Sequence, residues 1–196
     1  MSIENQLQQF PVRLRAAFAA CCAERLLPAY HLYCARLKLP RLLEQRLELV
    51  WSFVLGTKPA PPASQIQAMF ESDSQSLIPP DQRGTEYAQD AAISILYALL
   101  SLAPSNPSDV EGPVSAARHV TDALDRYIAR HVGIQPDDPK YAEQVTNHEV
   151  LLSEVARQRR DLNELQHLLS QKDQWSPTLN TLRDRATTER LYFLGQ

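Results

Sequence analysis

All three cysteines of this 196-residue chain, and one of its five histidines, fall between Cys21 and Cys34, in "CCAERLLPAYHLYC". Thiols and an imidazole that close could hold zinc, form a redox centre, or fill a core as small apolar groups. His31 and Cys34 are three apart and share a helical face. Cys21 and Cys22 are adjacent, about 100° apart around a helix, so only one of them could join that face. Three local ligands fall one short of a closed structural zinc site, and the spacing is not C-x2–4-C. Cys21, Cys22, His31 and Cys34 are therefore weak metal candidates, and buried packing is the favoured reading of the thiols. Arg25, Arg36 and Lys38 could lower a nearby thiol pKa, but no oriented base or oxyanion donor accompanies them.

A second set of groups lies on "TEYAQDAAISILYALLSL", the most apolar stretch of the chain. Its polar residues Glu86, Asp90, Ser94, Tyr97 and Ser101 recur at spacings of four, four, three and four, a single narrow helical stripe. Turned inward, Asp90 and Tyr97 would line a polar pocket with perturbed pKa values. Turned outward, they form a solvent-facing edge, which is the expectation here. His148 falls on an apolar seam and reads first as a hydrogen-bonded core histidine. Asp90, Tyr97 and His148 are thus weak catalytic candidates. Glu164 and His167 make one Glu-x-x-His pair of a di-metal carboxylate site, but no second pair exists. The five glycines stand singly at 56, 84, 112, 133 and 195. Neither G-x-G-x-x-G nor the Walker pattern is possible, and no G-x-S-x-G elbow occurs, so no cofactor is expected.

The elements that must position these groups read as helices, with no convincing strand alternation. The spacing predicts a first helix from Leu7 or Pro11 to Leu27, ended by Pro28. A second, "PAYHLYCARLKL", would open at Pro28 and a third at Pro40, closed by Gly56. Residues 57–84 form a Pro-rich irregular connection around a short helical candidate, Gln65–Glu71. Thr85 opens the central helix, and Pro113 opens another that ends at Gly133. A helix of about thirty residues then runs from Pro139 to Gln171. His148, Leu151, Val155, Gln158, Leu162, Leu165 and Leu169 form its seam. A last helix begins at Ser176–Pro177, and the apolar tail "LYFL" is expected to dock on the body.

Composition fits this picture. At 44% hydrophobic and 22% charged, with 5 glycines against 14 prolines, the chain is an ordinary globular helix former. Its net charge of −3 argues against a dedicated nucleic-acid binder. Between Pro11 and Arg46, however, seven basic residues face two acidic ones. Nucleic-acid association through that third is a minor alternative to a solvated surface. No signal peptide or membrane span is read, and three cysteines suit reduced thiols in the cytoplasm.

The blocks "ERLLPAYHLYC", "RLELVWSFV", "FESDSQSLIPP" and "AQDAAISILYALLSL", in their order and spacing, resemble the YjaG-like family of bacterial proteins, a domain of unknown function. The resemblance implies an all-helical single domain and carries over no activity, cofactor or site residue. The sequence therefore predicts an all-α, single-domain bundle of about seven helices over residues 1–196. The first, third, central and long C-terminal helices should form its core. The leading expectation for function is a non-enzymatic protein-interaction or regulatory protein, with a protein partner or self-association. The alternative is a small-ligand- or metal-binding protein, or an enzyme, with a polar pocket near Asp90, Tyr97 and His148.

Overall fold

The longest helix of the structure runs straight through a proline. In this computed structural model, which describes residues 2–75, 85–106, 108–135, 137–171 and 175–195, helix α2 spans Val12–Leu37 with Pro28 inside it. The expected break into two helices at Pro28 does not occur. Pro28 has no N–H to give the Glu24 carbonyl, a loss that normally ends or kinks a helix. Here the surroundings hold the turn: the N–H of Leu191, from the C-terminal tail, donates to the neighbouring Arg25 carbonyl at 2.8 Å. Every residue from Leu14 to Leu27 is buried, the mark of a helix packed on all sides. Five alanines in that stretch let neighbouring helices approach closely.

Around α2 lie α1 (Ile3–Leu7), α3 (Leu42–Val54), α4 (Ala63–Gln75), α5 (Glu86–Leu100) and α6 (Glu111–Val132). These are followed by α7 (Tyr141–Thr146), α8 (Glu149–Leu168), α9 (Trp175–Thr188) and a 3-10 turn at Tyr192–Gly195. The fold is all-helical among the described residues. Helices α2, α5 and α6 pack mutually at the centre, and α3, α8 and α9 flank α2. The helices expected to form the core all contribute to it, and α6, which the sequence reading left out of that set, packs at the centre with α2 and α5. In α3 the expected stripe Leu43, Leu47, Val50 and Val54 is buried, with Trp51 beside it. One hydrophobic cluster runs from Leu7 to Leu194.

Three boundaries differ from expectation. Helix α4 is longer than Gln65–Glu71, and residues 76–84 of the expected connection lie outside the described residues. The thirty-residue helix is two, α7 and α8, separated at Asn147 and His148. Helix α9 opens one residue before Ser176. The tail docks as expected: Leu191 and Leu194 are each 3% exposed, and the Phe193 ring lies 4.7 Å from that of Tyr127. No helix among the described residues is long and apolar enough to cross a membrane.

Candidate functional site

The polar stripe of α5 is not a solvent edge. Asp90 and Ser101 are 5% exposed and Ser94 is fully buried, because the stripe forms the seam against α6. Arg130 donates to Glu86 at 2.7 Å, and Arg126 donates to Asp90. Ser94 donates to the Ala116 carbonyl at 3.1 Å. Further along, Tyr97 stacks on His119 with 6.0 Å between ring centres. At the far end the helices touch through Gly112, where an added Cβ would lie 2.6 Å from Ser101 Oγ and 2.8 Å from the Tyr97 carbonyl oxygen. A stripe of polar groups on one helix thus meets matched groups on the other, which gives Glu86, Asp90 and Ser94 partners where solvent would otherwise have to.

Within this seam, Asp90 Oδ1 lies 3.2 Å from His119 Nδ1, while its other oxygen takes Arg126. A carboxylate that orients an imidazole is the supporting half of a general base. Burial lowers the pKa of His119 below its ordinary value, with Asp122 opposing and Arg118 adding. Tyr97 is half-buried between His119 and Phe70. Sequence reasoning did not pair His119 with Asp90. Its signal would have been the spacing of His119 and Arg126, seven apart and so on one helical face, opposite the α5 stripe.

His148, the third catalytic candidate, does not join this group. It caps α8, where Nδ1 accepts from the Val150 N–H at 3.3 Å, and it is half-buried. Its place on an apolar seam was a consequence of reading α7 and α8 as one helix.

The four metal candidates are kept apart by the continuity of α2. Cys22 and His31 are nine residues distant on one helix, about 14 Å at 1.5 Å per residue. No turn at Pro28 folds them together, and no group of three or more ligand-type side chains among the described residues could hold an ion. Cys21, Cys22 and Cys34 are free and buried. Burial raises the Cys21 and Cys22 thiols well above their ordinary values, so they stay protonated and unreactive. Cys34 Sγ contacts the Pro40 carbonyl at 3.8 Å. His31 Nε2 lies 3.3 Å from Glu44 Oε2 but has no hydrogen-bond partner, and burial lowers its pKa.

The densest set of charges was missed. Arg25 is fully buried and donates to Glu154 Oε1 at 3.0 Å and to Asp161, both fully buried on α8. Arg185 of α9 donates to Asp161 at 3.0 Å and grips Glu164 through both oxygens at 2.7 and 2.8 Å. Beside it, Glu24 accepts from Trp51 Nε1 at 3.2 Å and from Arg190. Burial would lower the Arg25 pKa, but Glu154 and Asp161 outweigh it and leave the guanidinium above its ordinary value. Burial raises the Glu154 pKa, and Arg25 only partly offsets this. The visible signal was Gln158 on the seam, flanked at four and three residues by Glu154 and Asp161: a buried polar stripe that needs a cation. This hub ties α8, α9 and the tail to α2.

The second half of α2 behaves differently. Residues 35–42, "ARLKLPRL", are all exposed, with Leu37, Leu39 and Leu42 at 47, 46 and 50%. Lys38 adopts a left-handed conformation, φ 55°, that caps the helix and turns the chain. Arg36, Lys38 and Arg41 have no ion-pair partner among the described residues. Of the other basic residues in this third, Arg15 binds the Leu7, Gln8 and Asp109 carbonyls, Arg13 binds that of Val54, and Arg46 pairs with Asp73 at 2.6 Å. The basic third is therefore a cluster of three free cations among leucines, too few for a nucleic-acid track.

A family model described as "Protein of unknown function (DUF416)" matches residues 2–191. The crystal structure of a DUF416 family protein from Shewanella baltica OS155 is similar, with a TM-score of 0.74 at 19% identity over 96% of this chain and 94% of that one. At that identity the likeness shows the fold. No curated protein matches the sequence.

Proposed function

The chain belongs to the DUF416 family of proteins of unknown function, and from that premise we propose that it is a non-enzymatic, protein-binding protein. Its docking surface is the corner at residues 35–42. One observation carries this reading: three leucines about half exposed and three cations with no ion-pair partner among the described residues fall within seven residues of chain, Arg36 to Leu42, whereas Arg25 and Asp90 in the interior are paired. Exposed leucine is unremarkable when scattered, but a contiguous cationic–apolar patch marks a binding surface. Within the family we assign the chain to the YjaG-like bacterial members, on the four blocks quoted above, and place its work in the cytoplasm as a single domain.

A catalytic or ligand-binding reading has its own observation, the Asp90–His119 pair, with His119 in the place expected for His148. It is the weaker reading because Asp90, Ser94 and Glu86 spend their hydrogen bonds on α6.

The test is position-resolved photo-crosslinking in the native host. A benzophenone amino acid replaces Leu39 in one variant and Leu152, equally exposed at 51% on α8, in another. The expected result is a discrete protein adduct from position 39 and none from position 152. Equal adducts from both, or none from position 39, would overturn the proposal.

A further inference from the structure

The last two turns of α6 place Arg126, Ala129, Arg130 and Gly133 on one face, three or four residues apart. Gly133, left-handed at φ 74°, folds the chain back, and the Ile134 N–H donates to the Ala129 carbonyl at 2.9 Å. Ile134 is buried as a result, and Tyr141, half-buried, opens α7 close by. With Gln135 these residues line an open cavity of about 460 Å³. Small-molecule sites span roughly 300–1,000 Å³.

The lining holds two guanidiniums and no carboxylate. Both are held from α5. Arg126 donates to Asp90, and Arg130 donates to Glu86 at 2.7 Å while lying 5.3 Å from the centre of the Tyr87 ring. Each spends its Nη2 on that carboxylate, yet 39 and 50% of the two side chains stay accessible. Arg126 makes no other hydrogen bond among the described residues, and its Nε is buried without a partner.

We propose that this cavity binds a small organic monocarboxylate with an apolar body. A guanidinium offers N–H donors in a planar fork that matches a carboxylate. The α5 contacts hold both forks before a ligand arrives, so little side-chain freedom is lost on binding. The apolar body follows from Ala129, Ile134 and the Tyr141 ring, against which a bare inorganic anion would bury nothing. The single charge follows from the neighbours. Asp90 and Glu86 already offset the two cations, and α6 ends its carbonyls beside the cavity, so a dianion such as phosphate meets more repulsion than a carboxylate does. A cationic ligand finds no acidic group in the lining. The site shares no residue with the 35–42 corner and does not depend on what that corner binds.

Protein-observed NMR titration of the full chain tests this. The probe is phenylacetate, and the comparators are phenylacetamide, phenethylamine and inorganic phosphate. The expected result is saturable binding of phenylacetate with a Kd of about 1 mM or tighter, with amide shifts centred on Ala129, Gly133, Ile134 and Tyr141. Each comparator should bind at least about tenfold more weakly. Arg130→Gln, at a half-exposed side chain, should weaken phenylacetate about tenfold with the melting temperature kept, and Arg126→Gln at least as much. Lys58→Gln, at an exposed cation outside the cavity, should bind as the parent does. No saturation, shifts centred elsewhere on the chain, or no effect of Arg130→Gln would overturn the proposal. So would phenylacetamide or phosphate binding the parent as tightly as phenylacetate, an outcome that rests on no variant.

Discussion

Helix α2 carries two populations of charge, divided by Pro28. Before it, Arg15, Glu24 and Arg25 are buried, and each is bonded inside the molecule. After it, Arg36 and then Lys38 and Arg41 in the turn beyond are exposed and make no ion pair among the described residues. The difference is one of solvation. A charge withdrawn from water costs several kcal/mol unless partners replace the lost hydration, so an interior arginine must have carboxylates or carbonyls around it. An exposed cation has no such debt, and nothing in the fold requires three of them beside three leucines. The inner half is explained by folding; the outer half is not.

The largest break in this comparison comes from Arg25→Met, which leaves Glu154 without its main cation and weakens the hold on Asp161. A loss of about 3–5 kcal/mol in urea unfolding is expected. Adding Glu154→Met should restore most of it, because an apolar pair of similar volume avoids the buried charge. A single variant that loses less than about 1 kcal/mol would show that the hub is not structural.

Gly112→Ala is next. Its methyl would meet the Tyr97 carbonyl, which is backbone and cannot swing aside, so α5 and α6 must separate. A loss of about 1–3 kcal/mol is expected from the same unfolding measurement.

The pH response is smaller. His119 and His31 both have pKa values lowered from 6.5 by burial, so the folded state binds their protons less readily than the unfolded one. Their contribution to stability is complete above pH 6.5 and is lost as the pH falls below it towards the lowered values. Glu154 acts in the opposite sense: its raised pKa favours the folded state on acidification, in a window that begins above 4.5. Melting temperatures of the parent and His119→Gln between about pH 7.5 and 5.5 separate the two. The parent should lose more on acidification than the variant does. An equal slope in both would remove His119 from the balance.

The smallest effect on stability belongs to the outer half. Lys38→Glu with Arg41→Glu should stay within about 0.5 kcal/mol of the parent, since neither side chain supports a packed neighbour.

Local pattern carried the helices, and long-range pairing was beyond it. The buried face of α3 and the docking of the tail follow from apolar spacing alone. The break at His148 has no proline or glycine to announce it; a histidine cap serves instead. Pro28 was a fair stop signal, overruled by packing on all sides and by the Leu191 N–H, which reaches the Arg25 carbonyl from 166 residues beyond Arg25. The stripe on α5 looked solvent-facing because its partners His119, Arg126 and Arg130 lie 29 to 44 residues away. Arg25 meets its carboxylates across 129 and 136 residues. Nothing in a single sequence links them, although Glu154, Gln158 and Asp161 on one seam do show that a cation is wanted.

The most direct test is the crosslink yield from position 39 in the Lys38→Glu/Arg41→Glu background, with the melting temperature as a control. The account predicts an unchanged melting temperature and loss of the adduct, because these cations bind a partner and hold nothing inside. An adduct that persists at full yield, or a melting temperature that falls as far as in Arg25→Met, would contradict it.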